Sequence, residues 1–164
     1  VFEVGETPPS ICDAPDAVTL PTVEGHVTFE DVTFAYEKGV NILEHFNLDV
    51  PEGKMIALVG PTGAGKSTVV NLLSRFYDVQ SGRVLIDGYD VAKVNLHSLR
   101  TQVGVMMQDS FVFSGTILEN IRYARPEATE AECIAAAKAV HADEFIARLP
   151  AGYNTPTREN GAGL

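Results

Sequence analysis

No stretch of roughly 18 apolar residues occurs in this chain, so none of it crosses a membrane as a helix. Basic residues are scarce. Twelve Lys and Arg stand against 22 Asp and Glu, a net charge of −10. Nucleic-acid backbones are bound by clustered cations, which excludes nucleic acid as the partner. The two cysteines, Cys12 and Cys133, lie far apart without metal-ligand spacing and read as reduced thiols of the cytosol. Four scattered histidines (His26, His45, His97 and His141) suggest no metal site. The opening stretch is acidic and proline-bearing, without the basic start or apolar centre of a secretory signal. No internal repeat or low-complexity tract is present. What remains is 164 residues with 45 % hydrophobic content, enough for one domain with a real core.

Against that background one segment carries chemistry. Gly60-Pro61-Thr62-Gly63-Ala64-Gly65-Lys66-Ser67 spells the phosphate-binding loop G-x-x-x-x-G-K-[ST], with Thr68 following. Its context is the required one. Met55 to Val59 is a short apolar run that reads as a buried strand, and Val69, Leu72, Leu73 and Phe76 recur at helical spacing after the loop. Glycines let the backbone wrap closely and point N–H groups at phosphate oxygens, and the helix start adds its positive dipole end. Lys66 would reach the β- and γ-phosphates, and the Ser67 hydroxyl would ligate Mg²⁺.

Around the loop the pattern alternates between strand and turn. Residues 1 to about 25, with Pro8, Pro9, Pro15 and Pro21, have the composition of a linker. Val27 and Phe29 alternate, Glu30-Asp31 interrupt, and Val32, Phe34 and Tyr36 alternate again, which predicts a strand with a bulge. After a turn at 37–39, Phe46, Leu48 and Val50 predict a second, antiparallel strand. Ser81-Gly82 and Asp87-Gly88 bracket a strand over 83–86. A short helix is expected over 95–100 and a strand over 103–107 ending at Gln108. In the last third, Thr129 and Glu132 form a capping box opening a helix through Val140, and 142–149 predicts another that stops at Pro150.

The spaced motifs together resemble the nucleotide-binding domain of an ATP-binding cassette (ABC) transporter of the exporter type. The residues that carry this are the phosphate loop, Val32-Thr33-Phe34-Ala35-Tyr36, and Arg75-Phe76-Tyr77-Asp78 leading to Ile86-Asp87-Gly88. Val105-Met106-Met107-Gln108-Asp109 and Phe113 to Ile121 add to them. The resemblance runs from about residue 10 to the last. It implies an α/β P-loop NTPase of ABC type with an N-terminal antiparallel β subdomain and a helical subdomain. Residues 1–25 would be a linker from an upstream transmembrane domain, 26–108 the β subdomain and a partial P-loop core, and 109–164 a partial helical subdomain. It also implies ATP and Mg²⁺ as cofactors, Tyr36 stacking on adenine, and Gln108 touching Mg²⁺ and the attacking water. Residues 157–161 would be a loop that meets the membrane domain, although Asn160 stands where an arginine is more usual. The implied partners are a transmembrane domain of the same polypeptide and a second nucleotide-binding domain in a head-to-tail dimer. The implied place is the cytoplasmic face of the cell membrane, the chain itself being soluble.

Other parts of the family pattern are missing from these 164 residues. After the loop no apolar run is followed by Asp-Glu; Val84-Leu85-Ile86-Asp87 lacks the glutamate, and Asp143-Glu144 follows no hydrophobic strand. No Ser-Gly-Gly-Gln signature and no switch histidine occur. The expectation is therefore an incomplete core sheet, whose retained strands lack neighbours, and a chain that by itself does not hydrolyse ATP. A small-molecule P-loop kinase is the alternative enzyme, but Arg122, Arg125, Arg148 and Arg158 are too dispersed for a basic lid. A non-catalytic nucleotide-binding module is the third reading.

Overall fold

The computed structural model describes residues 9–37, 39–106 and 111–158. The chain divides into two compact units, one ending at Val105 and one beginning at Met106.

The first unit is organised by β1 (Val27–Phe34) and β2 (Leu43–Val50), which pair antiparallel. With β3 (Ser81–Ile86) and β4 (Tyr89–Asp90) they make a four-stranded antiparallel sheet in the order β2-β1-β3-β4. The expected bulge is present. Asp31 takes φ 50, and the register of β1 slips against both β2 and β3 at that point. Gly82 is required opposite it, because a Cβ there would lie 2.4 Å from the carbonyl oxygen of Asp31. Alternation then buries Phe29, Val32, Phe34, Val84 and Ile86 on one side. Against them pack Val69 and Leu72 of α1 (Lys66–Leu73), and Leu99 of α2 (Leu96–Arg100) joins the same core.

The proline-bearing N-terminal segment is tied to this unit. Leu20 is buried, Val18 bridges Val94, and the Asp87 carboxylate accepts from the backbone N–H groups of Glu24, Gly25 and His26 at 2.7, 3.1 and 2.8 Å.

Two expected strands do not form. Residues 55–59 carry no strand, and Met55 and Val59 are 97 % and 91 % exposed; only Leu58 packs on the core. Residues 103–106 likewise carry none, and Met106 is 94 % exposed. Both runs have strand composition. A strand, however, also needs neighbours to take its N–H and C=O groups, and among the described residues neither run has a paired neighbour.

The second unit is mainly helical. It contains β5 (Gly115–Thr116), α3 (Ile117–Arg122), α4 (Glu130–Ala139), α5 (Ala142–Ile146) and β6 (Pro156–Thr157), with β5 and β6 paired antiparallel. The Thr129/Glu132 capping box opens α4 as expected, and a second box, Thr116/Glu119, opens α3. The helix expected over 142–149 ends three residues early, at Ile146, followed by turns. Ile117, Ala137 and Ile146 form a small separate core.

Candidate functional site

The loop between residue 60 and α1 is built by its glycines. Gly63 and Gly65 hold φ of 85 and 80, a region that L side chains rarely adopt. Gly65 also caps α1, and a Cβ on it would come within 3.0 Å of Leu43 Cδ2. Both the backbone angle and the close approach to β2 therefore demand glycine there. Pro61 to Ala64 closes as a turn, with Ala64 N donating to the Pro61 carbonyl at 3.2 Å.

The start of α1 has no side-chain cap and no acidic residue in its first turn. Its first N–H groups have no intrahelical partners, and the positive end of the helix dipole lies there. Lys66 folds back over the loop, and its Nζ donates to the carbonyls of Gly60 and Pro61 at 2.8 and 2.7 Å. An ammonium group, N–H donors and a helix N-terminus are thus gathered on one loop without a neutralising carboxylate in the first turn of the helix. That donor set fits an anionic phosphate chain. Ser67 is exposed beside it, Thr62 is also exposed, and Thr68 is buried.

Tyr36 stands two residues beyond the end of β1. Its hydroxyl is 3.2 Å from Thr68 Oγ1 and accepts from Asn71 Nδ2 at 3.3 Å. Phe34 and Tyr77 meet it edge to face, each with ring centroids 4.9 Å from its own. The ring remains 46 % exposed. The structure therefore brings Tyr36 onto α1 itself, next to the residues of the loop. Asn71 and Tyr77 belong to this group and were not singled out for it from sequence; Asn71 carried no motif, and Tyr77 was noted only within a family string.

Gln108 lies outside the described residues, as do residues 159–161 of the segment compared with the membrane-facing loop. Thr157, from that same segment, is buried in β6, where its Oγ1 donates to the Phe113 carbonyl at 2.8 Å. In the second unit Asn120 was also missed as an organising residue. Its amide bonds Phe113 N and O and the oxygens of Thr116 and Thr157 at 2.8–3.0 Å, locking β5, β6 and the approach to α3 together. Phe111, Phe113, Tyr123 and Phe145 border an apolar cavity of about 460 Å³ beside it.

A glycine loop leading into a helix, in a mixed α/β fold whose antiparallel sheet takes strands from both sides of the loop, defines a fragment of a P-loop nucleotide-binding protein. A family model described as ABC transporter matches residues 43–163. The chain belongs to the ABC transporter family. It is 49 % identical over its whole length to an uncharacterized ABC transporter ATP-binding protein, YfiC, of Bacillus subtilis, spanning 27 % of that protein. It is 50 % identical, over 88 % of its length, to a fatty acid ABC transporter ATP-binding/permease protein of Mycobacterium bovis, spanning 23 % of it. Among solved structures it matches a bacterial Atm1-family ABC exporter with ATP bound, at a TM-score of 0.90 and 45 % identity, covering 99 % of this chain and 28 % of that one. The fold is that of an exporter-type nucleotide-binding domain in part, and the chain spans about a quarter of the length of the curated relatives it matches.

Proposed function

We propose that this chain supplies the phosphate- and purine-binding part of a membrane exporter driven by ATP. The observation that carries the reading is the Lys66 ammonium folded over the Gly60 and Pro61 carbonyls at the uncapped start of α1. Neutral carbonyls are weaker partners for an ammonium than phosphate oxygens, so a triphosphate is expected to draw Nζ away from them. Gly60 to Thr68 would cradle the phosphates, Ser67 would ligate Mg²⁺, and Tyr36 would present its ring to adenine. Magnesium, when bound, neutralises charge on the phosphate oxygens. Gln108 is assigned to the metal and the attacking water on the family resemblance alone. The boundaries 1–25, 26–108 and 109–164 are kept as linker, β subdomain with P-loop core, and helical subdomain.

The relatives named ATP-binding/permease proteins support a transmembrane domain in the same polypeptide, and the likeness to an ATP-bound exporter supports a paired nucleotide-binding domain. Among the described residues no helix is long and apolar enough to cross a membrane, so the spanning segments would belong to other parts of such a protein. The 164 residues hold no Asp-Glu pair after an apolar strand, since Asp87 at the end of β3 is followed by Gly88. The isolated chain is therefore expected to release no phosphate above background.

The test is Lys66→Ala in the intact protein, read by MgATP binding. Losing a charge-assisted contact of about 1.5–3 kcal/mol weakens binding by on the order of 10- to 100-fold. Unchanged affinity would sink the site assignment.

A further inference from the structure

The helix that begins at the phosphate loop is anchored at its other end by two arginines, and the anchor reaches the N-terminal segment. Helices commonly end on a glycine in the left-handed conformation. Here Arg75 occupies that position with φ 48, while Arg75 N and Phe76 N close the helix end onto the Leu72 and Asn71 carbonyls. The Arg75 side chain is buried. Its Nε donates to Asp78 Oδ1 at 2.8 Å and its Nη2 to the Cys12 carbonyl at 3.2 Å, and Nη1 has no partner among the described residues. From α2, Arg100 donates to the Ser74 and Arg75 carbonyls at 3.3 and 2.8 Å, with its guanidinium 5.1 Å from the centre of the Phe76 ring. Two cations thus sit on the negative end of α1.

The same α2 is gripped by the N-terminal segment. Asp13 accepts from Leu96 N at 2.7 Å and from Asn95 Nδ2 at 2.5 Å. Leu20 N donates to Ser98 Oγ at 3.0 Å. Gln102 accepts from Val23 N at 3.0 Å and donates to the Pro21 carbonyl at 2.9 Å. A buried arginine held in a left-handed conformation is unfavourable on two counts, where glycine would satisfy the backbone. What glycine lacks is the reach to Cys12.

We infer that Arg75 and Arg100 are positioning residues for the phosphate loop, and that through them the docking of residues 12–23 is coupled to nucleotide on that loop. The inference rests on the nucleotide-binding reading above. Its physical basis is that α1 is a short rigid element, about 12 Å long. A shift of its Arg-bound end moves the loop at its start. Coupling between two sites is reciprocal, so nucleotide that fixes α1 tightens the docked segment, and a loosened segment weakens nucleotide by the same factor.

The experiment is amide hydrogen exchange at Val18, Leu20 and Val23 of the intact protein with and without MgATP, alongside measured MgATP affinity. Arg75→Gly keeps the left-handed backbone and deletes the tether to Cys12 together with the Asp78 pair, and the melting temperature, read alongside, separates a loss of fold from a loss of coupling. Wild type is expected to show nucleotide-dependent protection at these amides. Arg75→Gly is expected to bind MgATP roughly 5- to 10-fold more weakly and to lose that protection. Arg100→Lys, which keeps the charge, should rescue part of what Arg100→Ala loses. Wild-type protein that binds MgATP without any change in exchange overturns the coupling, as does Arg75→Gly with unaltered affinity and protection. Failure of wild type to bind MgATP overturns the nucleotide reading itself, and the coupling with it.

Discussion

At the scale of single residues, the environment of Tyr36 changes what its replacement should do. Stacking on adenine, which the family resemblance implies for Tyr36, needs only its π-face, so that any aromatic would serve. The structure adds a hydroxyl placed between Thr68 and Asn71, on the helix that carries the loop. Tyr36→Ala is expected to weaken MgATP binding by roughly 1–3 kcal/mol, the scale of a base stacked on an aromatic side chain. Tyr36→Phe keeps the ring, and with it most of the affinity, but leaves the buried Thr68 hydroxyl without that partner and should lose about 0.5–1.5 kcal/mol of folding stability. The two variants are separated by titrating each with nucleotide. Equal affinities for Ala and Phe would assign Tyr36 to packing against Phe34 and Tyr77. Gly63 and Gly65 were legible from sequence because the loop's chemistry dictates them. Asn71 and Asn120 were not, since an amide's value depends on partners far along the chain.

At the scale of elements, several local features were legible, while the helix expected over 142–149 ends at Ile146 and Ser81-Gly82, expected to precede β3, begins it. The bulge at Asp31, the turn at Asp87-Gly88 and the capping box of α4 all depend on a few adjacent residues. Residues 55–59 and 103–106 have the apolar composition of strands, but a strand is completed by its neighbours, and composition carries no information about those. The α4 box also gives a pH dependence. The Glu132 carboxyl is held down at about 2 by the Thr129 backbone N–H first, then by the Thr129 hydroxyl and by Arg125. A carboxyl depressed on folding contributes stability that is present above its ordinary value near 4.5. That contribution is lost as pH falls from there through about 2. Protection of the first amides of α4, taken relative to the intrinsic exchange rate at each pH, should therefore fall across this window in the wild type, and Glu132→Gln should remove that part of the pH dependence. An identical profile in both proteins would show that the box is not what titrates.

At the scale of the whole chain, two units each bury their own apolar cluster, one on the antiparallel sheet and one among α3, α4 and α5. The first also leaves apolar surface uncovered. Met55 and Val59 are almost wholly in water and Ile56 is half exposed, all on one run beside the phosphate loop. The run has backbone groups unpaired among the described residues as well as apolar side chains, and this combination favours association with another chain. The acidic balance, −10 overall, opposes association by charge repulsion, and salt screens that repulsion. The isolated 164-residue chain is therefore expected to self-associate as concentration rises, and more so as salt is raised. Sedimentation velocity would measure this directly. Replacing Met55 and Val59 together by Lys and Thr should shift the chain toward monomer. The core sheet should be left intact, because neither side chain packs on it. If the doubly substituted chain associated as strongly as the original, the exposed run would not be the contact, and the apolar cavity beside Asn120 would be the next surface to test.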